Sequence, residues 1–311
     1  MAPPAFAEVE FLCNVCGQPA RFGQAHFANP ELPSCEQCRS NVRFRWLVHR
    51  LSLALFGRSL PLPEYPAAKA VKGIGLTDPH AIATVLAERF TYTNTFLTGE
   101  PRLDIRTGSS PLGDQLDFLI ASEVFEHVEP PVETAFANAA RMLKPGGLLL
   151  LTVPWVWDGD AHTAIPELYD WRLASDEAGY VIINRRRDGE VERFQRMAFD
   201  GSPGPSFGRT REHFPGRLHD WRLLDATGDA PQLVNTHPDG AVETFTNLVF
   251  HEGQGLALEM RLFTKNGIEE NLRAAGFGEI EFALEDYPEF GIIFGHPWSR
   301  PVAARRLATP S

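Results

Sequence analysis

Two apolar runs lie close together in the middle of the chain. Residues 116–121 read Leu-Asp-Phe-Leu-Ile-Ala, and residues 148–153 read Leu-Leu-Leu-Leu-Thr-Val. Near-continuous apolar runs of this length mark strands buried on both faces rather than strands with one wet side. Between them Val132, Phe136, Ala139, Ala140 and Leu143 recur at helical spacing, and Lys144-Pro145-Gly146-Gly147 stops that helix before the second run. Strand, helix and strand at this spacing form the crossover unit of a parallel sheet, which restricts the chain to an α/β architecture.

The flanking sequence extends the pattern. Residues 70–76 form a short apolar strand containing Gly73-Ile74-Gly75, after which Asp78 is placed to cap a helix and Pro79 fits its first position. That helix, 79–90, presents Ile82, Val85, Leu86 and Phe90 on one face. Strands are expected at 92–96 and 103–105, then a helix at 265–275 ended by Gly276, and two closing strands near 280–284 and 291–294. The expectation is a doubly wound, Rossmann-like sheet built from residues 66–153 and 251–300, with residues 154–250 inserted after its fifth strand. A chain of 311 residues with 43% hydrophobic content can bury such a core and still carry a small extra module.

The module is expected at residues 1–58. The chain's four cysteines are Cys13, Cys16, Cys35 and Cys38, two Cys-x-x-Cys pairs. Two such knuckles can present four thiolates in a tetrahedron, the donor set of structural Zn²⁺. No His or carboxylate completes an open site, so the metal would be structural, in a zinc-ribbon-like module, with Gly17 supplying a tight turn after the first pair. Two disulfides or four unrelated thiols are the alternatives. A helix over 43–56, ending at Gly57, joins this module to the rest, and three prolines between residues 60 and 66 read as a stiff linker.

The insert repeats itself. Residues 168–173, Leu-Tyr-Asp-Trp-Arg-Leu, return at 218–223 as Leu-His-Asp-Trp-Arg-Leu. Asn184, Gly189, Val191, Glu192 and Phe194 return as Asn235, Gly240, Val242, Glu243 and Phe245. Each copy alternates about an Asp-Gly turn, so each reads as a β-hairpin, the two together serving as a substrate cap or purely as packing. Trp155, Trp157, Trp171 and Trp221 can stack on sugar rings or form the core of that cap. The run Arg185-Arg186-Arg187 can meet an anionic acceptor or lie solvated on the surface.

A net charge of −11 and a sequence pI near 5.4 give no global positive field for phosphates, which disfavours nucleic acid as a partner. No apolar run is long enough to span a bilayer and no basic-then-apolar leader opens the chain, so a soluble, cytoplasmic protein is expected.

In an open parallel sheet, ligands bind beyond the carboxyl ends of the strands, where strand order reverses. There the sequence runs Ser122-Glu123-Val124-Phe125-Glu126-His127-Val128, followed by the helix and by Leu143-Lys144-Pro145-Gly146-Gly147. These stretches resemble the class I S-adenosylmethionine (SAM)-dependent methyltransferases, over roughly residues 70–153 and 262–296. Within that family the chain is similar to a zinc-knuckle-bearing group associated with glycan and polysaccharide biosynthesis. The resemblance implies SAM as cofactor, with Gly73 and Gly75 under its methionine part and the helix start at Asp78 beside them. It implies Asn94 at the ribose hydroxyls, Asp104 at the adenine amino group, and Ser122, Glu123 and His127 lining the pocket. Two positions depart from the family pattern. Residues 72–78, Lys-Gly-Ile-Gly-Leu-Thr-Asp, replace the usual acidic glycine-rich loop, and Asn94 stands where a carboxylate is usual.

Methyl transfer from a sulfonium requires in-line positioning, plus a base when the nucleophile is a hydroxyl. Candidate bases are His127, which alternatively only fixes its turn, and the pair His213 and His219 with Asp220 as orienting carboxylate. The leading expectation is O-methylation of a glycan-like, nucleotide-sugar or small-molecule acceptor. The alternatives are a non-catalytic binding protein on a degenerate methyltransferase fold, and an RNA or protein methyltransferase that uses the zinc module for recognition. The oligomeric state is not encoded in these patterns.

Overall fold

The structure, a computed structural model, describes residues 8–23, 32–108, 110–156, 170–176, 179–185, 189–198, 211–212, 214, 217–225, 231–246, 248, 250–251, 257–294 and 299–308. They form two compact units: one of residues up to 124 with 134–153 and the chain from 271 on, the other of 125–133 and 154–270.

The first unit opens with a hairpin, β1 (Val9–Leu12) and β2 (Pro19–Phe22), antiparallel across the first cysteine pair. Helix α1 (Val42–Phe56) follows the second pair. Asn41 caps it by accepting from the Phe44 N–H, and Gly57 closes it in the left-handed region.

The six-stranded sheet is built from β3 (Lys72–Leu76), β4 (Thr91–Thr95), β5 (Leu116–Ser122), β6 (Leu143–Thr152), β18 (Phe277–Phe282) and β19 (Val302–Arg306). Its order is β4-β3-β5-β6-β19-β18. The pairs from β4 to β6 are parallel, whereas β19 runs antiparallel to both β6 and β18. Helices α2 (His80–Arg89) and α3 (Glu133–Met142) are the crossovers from β3 to β4 and from β5 to β6, and α4 (Lys265–Ala274) leads into β18.

One face of this sheet, with Phe118, Ile120, Leu148 and Leu150, shares a single apolar core with Ile82 and Leu86 of α2 and Trp46, Leu47, Val48 and Leu51 of α1. Phe11 and Phe22 of the cysteine module belong to the same core, as do Phe290, Ile292 and Phe294. The fully buried Arg45 ties these parts together. Its guanidinium lies 4.6 Å from the Phe11 ring centre and donates to the carbonyls of Ser40 (3.2 Å) and Gly291 (2.9 Å). The proline-rich stretch expected as a linker is a short turn with Leu62 and Tyr65 buried, and the Tyr65 hydroxyl donates to Val48 O at 2.5 Å.

The second unit is nearly all β. A small sheet joins β11 (Arg211–Glu212), β17 (Arg261–Thr264) and β7 (Trp155–Val156), with β17 parallel to β7. Two short strands, β15 (Phe250–His251) and β16 (Ala257–Leu258), pair antiparallel. The repeated segments make two three-stranded meanders. The first is β8 (Asp170–Asp176), β9 (Gly179–Arg185) and β10 (Val191–Ala198); the second is β12 (Asp220–Leu224), β13 (Gln232–Thr236) and β14 (Val242–Phe245). Their registers coincide: Trp171 faces Asn184, which faces Glu192, and Trp221 faces Asn235, which faces Glu243. Phe214, Leu218, Leu233 and Phe245 bury the second copy against Leu258 and Met260.

Four local expectations are corrected. Residues 103–105 form no strand, because the Asp104 carbonyl accepts from Thr107 and Gly108 and its carboxylate from the Arg106 N–H, which closes a turn. The last strand is Val302–Arg306 and not 291–294, where Pro288–Phe290 is a helical turn ended by Gly291 at φ 63°. Asp78 does not cap α2, since its carboxyl is fully buried and bonded to Tyr92. Each repeat folds as three strands rather than two. Among the described residues no helix is long and apolar enough to cross a membrane.

Gly73 and Gly75 admit aromatic rings against β3. A methyl group at Gly73 would overlap the Phe118 ring, and one at Gly75 would overlap the Tyr92 hydroxyl and the Asp78 carboxylate. Gly73→Ala is therefore expected to lower the unfolding free energy by about 1–3 kcal/mol or more through overpacking, read as a lower urea midpoint at unchanged m-value.

Candidate functional site

Strand order reverses between β3 and β5, and the loops after β3, β4 and β5 carry the residues expected at a cofactor. Thr77 leaves β3 at φ 64°, its N–H donating to Thr95 O at 2.8 Å. The next residue, Asp78, turns its carboxyl inward. Oδ2 accepts from the Tyr92 hydroxyl at 2.5 Å, and Oδ1 is buried without a hydrogen-bond partner. Asp78 also borders an apolar cavity of about 10 Å³ lined by Phe44, Leu47, Leu51, Ile82 and Ile120. The amide of Asn94 clamps the Asp78 backbone: Oδ1 accepts from its N–H (2.8 Å) and Nδ2 donates to its carbonyl (2.9 Å). Both polar atoms of the residue expected at the ribose thus hold the loop after β3.

Asp104 bonds the Arg106 guanidinium through both oxygens, Nε lying 3.1 Å from each and Nη2 2.7 Å from Oδ2. Burial opposes ionisation of Asp104, but the bonds from Arg106 outweigh it and hold the carboxyl below the usual range. At the end of β5, Ser122 Oγ lies 2.7 Å from Thr152 Oγ1. Glu123 follows with φ 54°, its N–H donating to Thr152 O (2.9 Å). Its carboxylate is 3.1 Å from the guanidinium of Arg43, a residue of α1 that no sequence motif singled out.

The four cysteines converge. Cys13 and Cys38 Sγ are 3.7 Å apart, Cys16 and Cys35 likewise, and all four sulfurs lie within 4.8 Å of one another as free thiols. Zn–S bonds of about 2.3 Å set tetrahedron edges of about 3.8 Å, close to these separations. The two knuckles fold alike. Gly17 and Arg39, each directly after its pair, take positive φ (74° and 62°) and donate to the carbonyls of Cys13 and Cys35. The donor set and spacing fit a tetrahedral thiophilic cation.

The candidate bases belong to the second unit. His127 Nδ1 is 2.9 Å from Leu258 O, and since a carbonyl only accepts, this places a ring proton on Nδ1. Nε2 lies 3.6 Å from Oε1 of the fully buried Glu126. His213 lies outside the described residues. His219 and Asp220 are both exposed, and the carboxylate that orients an imidazole in this meander is Glu243, 2.6 Å from Nε2 of His237. The His219 and His237 rings meet edge to face at 5.3 Å. Beneath them the buried Asn235 accepts from the His219 N–H at 2.8 Å. The signal for this group was available in the repeated sequence, in which the second copy has His219 and His237 at the positions of Tyr169 and Arg186 in the first, while the Asn and Glu are retained.

Residues 67–187 match the family model described as methyltransferase domain. No curated protein matches the chain. Among solved structures it is similar to CalS10, an amino pentose methyltransferase from Micromonospora echinaspora (16% identity, TM-score 0.38, covering 86% of this chain and 92% of that one). It is also similar to the sugar N-methyltransferase KedS8 from Streptoalloteichus (13%, TM-score 0.39, 86% and 87%). A third is the 1,6-didemethyltoxoflavin-N1-methyltransferase of Burkholderia thailandensis (12%, TM-score 0.36, 84% and 77%). The chain carries a methyltransferase domain and is a methyltransferase enzyme.

Burial lifts the Asp78 carboxyl from 3.8 to about 7, against the opposing pull of the Tyr92 bond. The folded state then keeps a proton that the unfolded chain releases, so this contribution to stability is full below pH about 4 and is lost as pH rises through about 7. Unfolding free energies should fall over that window by up to about 1.4 kcal/mol per pH unit, and Asp78→Asn should flatten the profile. Parallel profiles for the two proteins would remove the buried proton from the account.

Proposed function

We propose that this methyltransferase uses SAM as methyl donor and a small, hydroxyl-bearing acceptor, with a glycan-like or nucleotide-sugar compound as the favoured class. The observation that carries the reading is the matched methyltransferase segment, in which strand order reverses between β3 and β5. On this reading Ser122 Oγ and the carboxylates of Glu123 and Asp104, engaged here by Thr152, Arg43 and Arg106, are the groups that would meet the hydroxyl, ammonium and amino donors of a nucleoside amino acid. SAM, when bound, supplies a methyl group on a positively charged sulfur. The work left to the chain is to align the acceptor and to take up its proton.

For that proton His127 is the candidate, because its Nδ1 bond to Leu258 O leaves Nε2 as the basic nitrogen. His237, oriented by Glu243, is a second candidate in the repeated insert, which we read as the acceptor-binding part. The cysteine cluster is read as a structural zinc site: four thiolates leave no open position for chemistry, and the ion would lock the two knuckles that precede α1.

Titration calorimetry with S-adenosylhomocysteine tests the cofactor. Saturable binding is expected in the wild type and in His127→Asn, whereas methyl transfer to a panel of hydroxylated sugars and nucleotide-sugars should drop about 10²–10⁴-fold in the variant. Absence of binding at millimolar ligand would end the reading. For the metal, one zinc per chain is expected by elemental analysis, falling well below half in Cys35→Ser together with a lower melting temperature. Full metal occupancy in that variant would exclude a four-thiolate site.

A further inference from the structure

Helix α1 begins inside the cysteine module and runs over the sheet. Ser40, between Cys38 and the Asn41 cap, accepts at its carbonyl from the N–H groups of Ser34 and Cys35 and from the Arg45 guanidinium. The Ser40 hydroxyl lies 3.3 Å from Cys13 Sγ. Both cysteine pairs therefore hold the first turn of α1. On that turn stands Arg43, with 3% of its side chain exposed, and its guanidinium meets the Glu123 carboxylate, itself 14% exposed. Two charges stripped of most of their water gain from facing each other, and removing the guanidinium takes this partner from a carboxylate that is mostly buried. Glu123 has a second constraint. It sits in the left-handed region at φ 54°, a conformation that costs a non-glycine residue energy and persists where neighbours impose it.

We propose that Arg43 is a positioning residue of the cofactor pocket: from the first turn of α1 it fixes the Glu123 carboxylate at the end of β5, so that the cysteine module helps shape this pocket. The inference rests on reading the β5 edge as the SAM site. It gives the module a role different from recognising an acceptor. The module lies in one apolar core with α1, α2 and the sheet, and the residue it delivers to the sheet edge is a cation for the pocket's own carboxylate.

The test is calorimetric titration of S-adenosylhomocysteine into the full-length protein, with metal content and melting temperature measured on each sample. Arg43→Met is expected to weaken binding about tenfold or more at unchanged metal content, and Arg43→Lys to recover most of the loss. Glu123→Gln should weaken binding too, and Arg43→Met combined with Glu123→Gln should be no worse than the poorer single variant, since both remove one interaction. Wild-type affinity in Arg43→Met overturns this proposal and leaves the cofactor reading intact. So does a loss that Arg43→Lys does not repair, or one that follows melting temperature and metal content across the series. A wild type that does not bind removes both readings. Should Arg43→Met fail to fold, Arg43→Lys and Glu123→Gln decide: the first near wild type with the second weakened supports the proposal, and any other pattern overturns it.

Discussion

Gly73 and Gly75 leave no side chain between β3 and the rings of Phe118 and Tyr92, and the arrangement of the larger unit follows from that close approach. With Tyr92 drawn onto the strand, its hydroxyl reaches Asp78 and turns that carboxyl into the core. Asn94, two residues beyond Tyr92 on β4, then grips the Asp78 backbone and shapes the loop after β3. Above this node lies α1, whose Phe44, Leu47 and Leu51 close over Asp78 and Ile120. A larger residue at either glycine would displace the rings, and with them the loop expected beside the cofactor. The glycines serve packing on one face of the strand while shaping the loop at its end.

In the other unit the organising element is the repeated meander. Both copies keep Trp, Asn and Glu in one cross-strand row, so the duplication preserved a register and not merely a composition. In the second copy a one-residue slip would move Trp221, Asn235 and Glu243 to the opposite face. In the second copy the row supports His237 and His219. A buried amide under a carboxylate–imidazole pair fixes ring orientation, which is what proton transfer requires of a base.

How legible each part was follows from the range over which its determinants act. The strands β5 and β6 could be read directly, because a strand buried on both faces is apolar along most of its length. The strand β19, reading Val-Ala-Ala-Arg-Arg, was missed. Val302, Ala303 and Ala304 are buried, yet small residues beside two arginines carry no distinctive period, and only pairing with β6 and β18 makes them a strand. At 103–105 the side chain of Asp104 offered the backbone a turn that competed successfully with a strand. Asp78 looked like a helix cap until Tyr92, from the next strand, supplied a stronger partner.

By itself the sequence determined the α/β class, the crossover units, the convergence of four cysteines and the duplication of the insert. Each is written in residues near one another along the chain, where helix and strand periods, paired ligands and internal similarity act. Tertiary structure alone decided that Asn94 holds a loop, that Arg43 meets Glu123 and that Asp104 is paired with Arg106. Except for Asp104 and Arg106, these partners lie on different elements. Which charge faces which was settled only when burial removed water as the alternative partner.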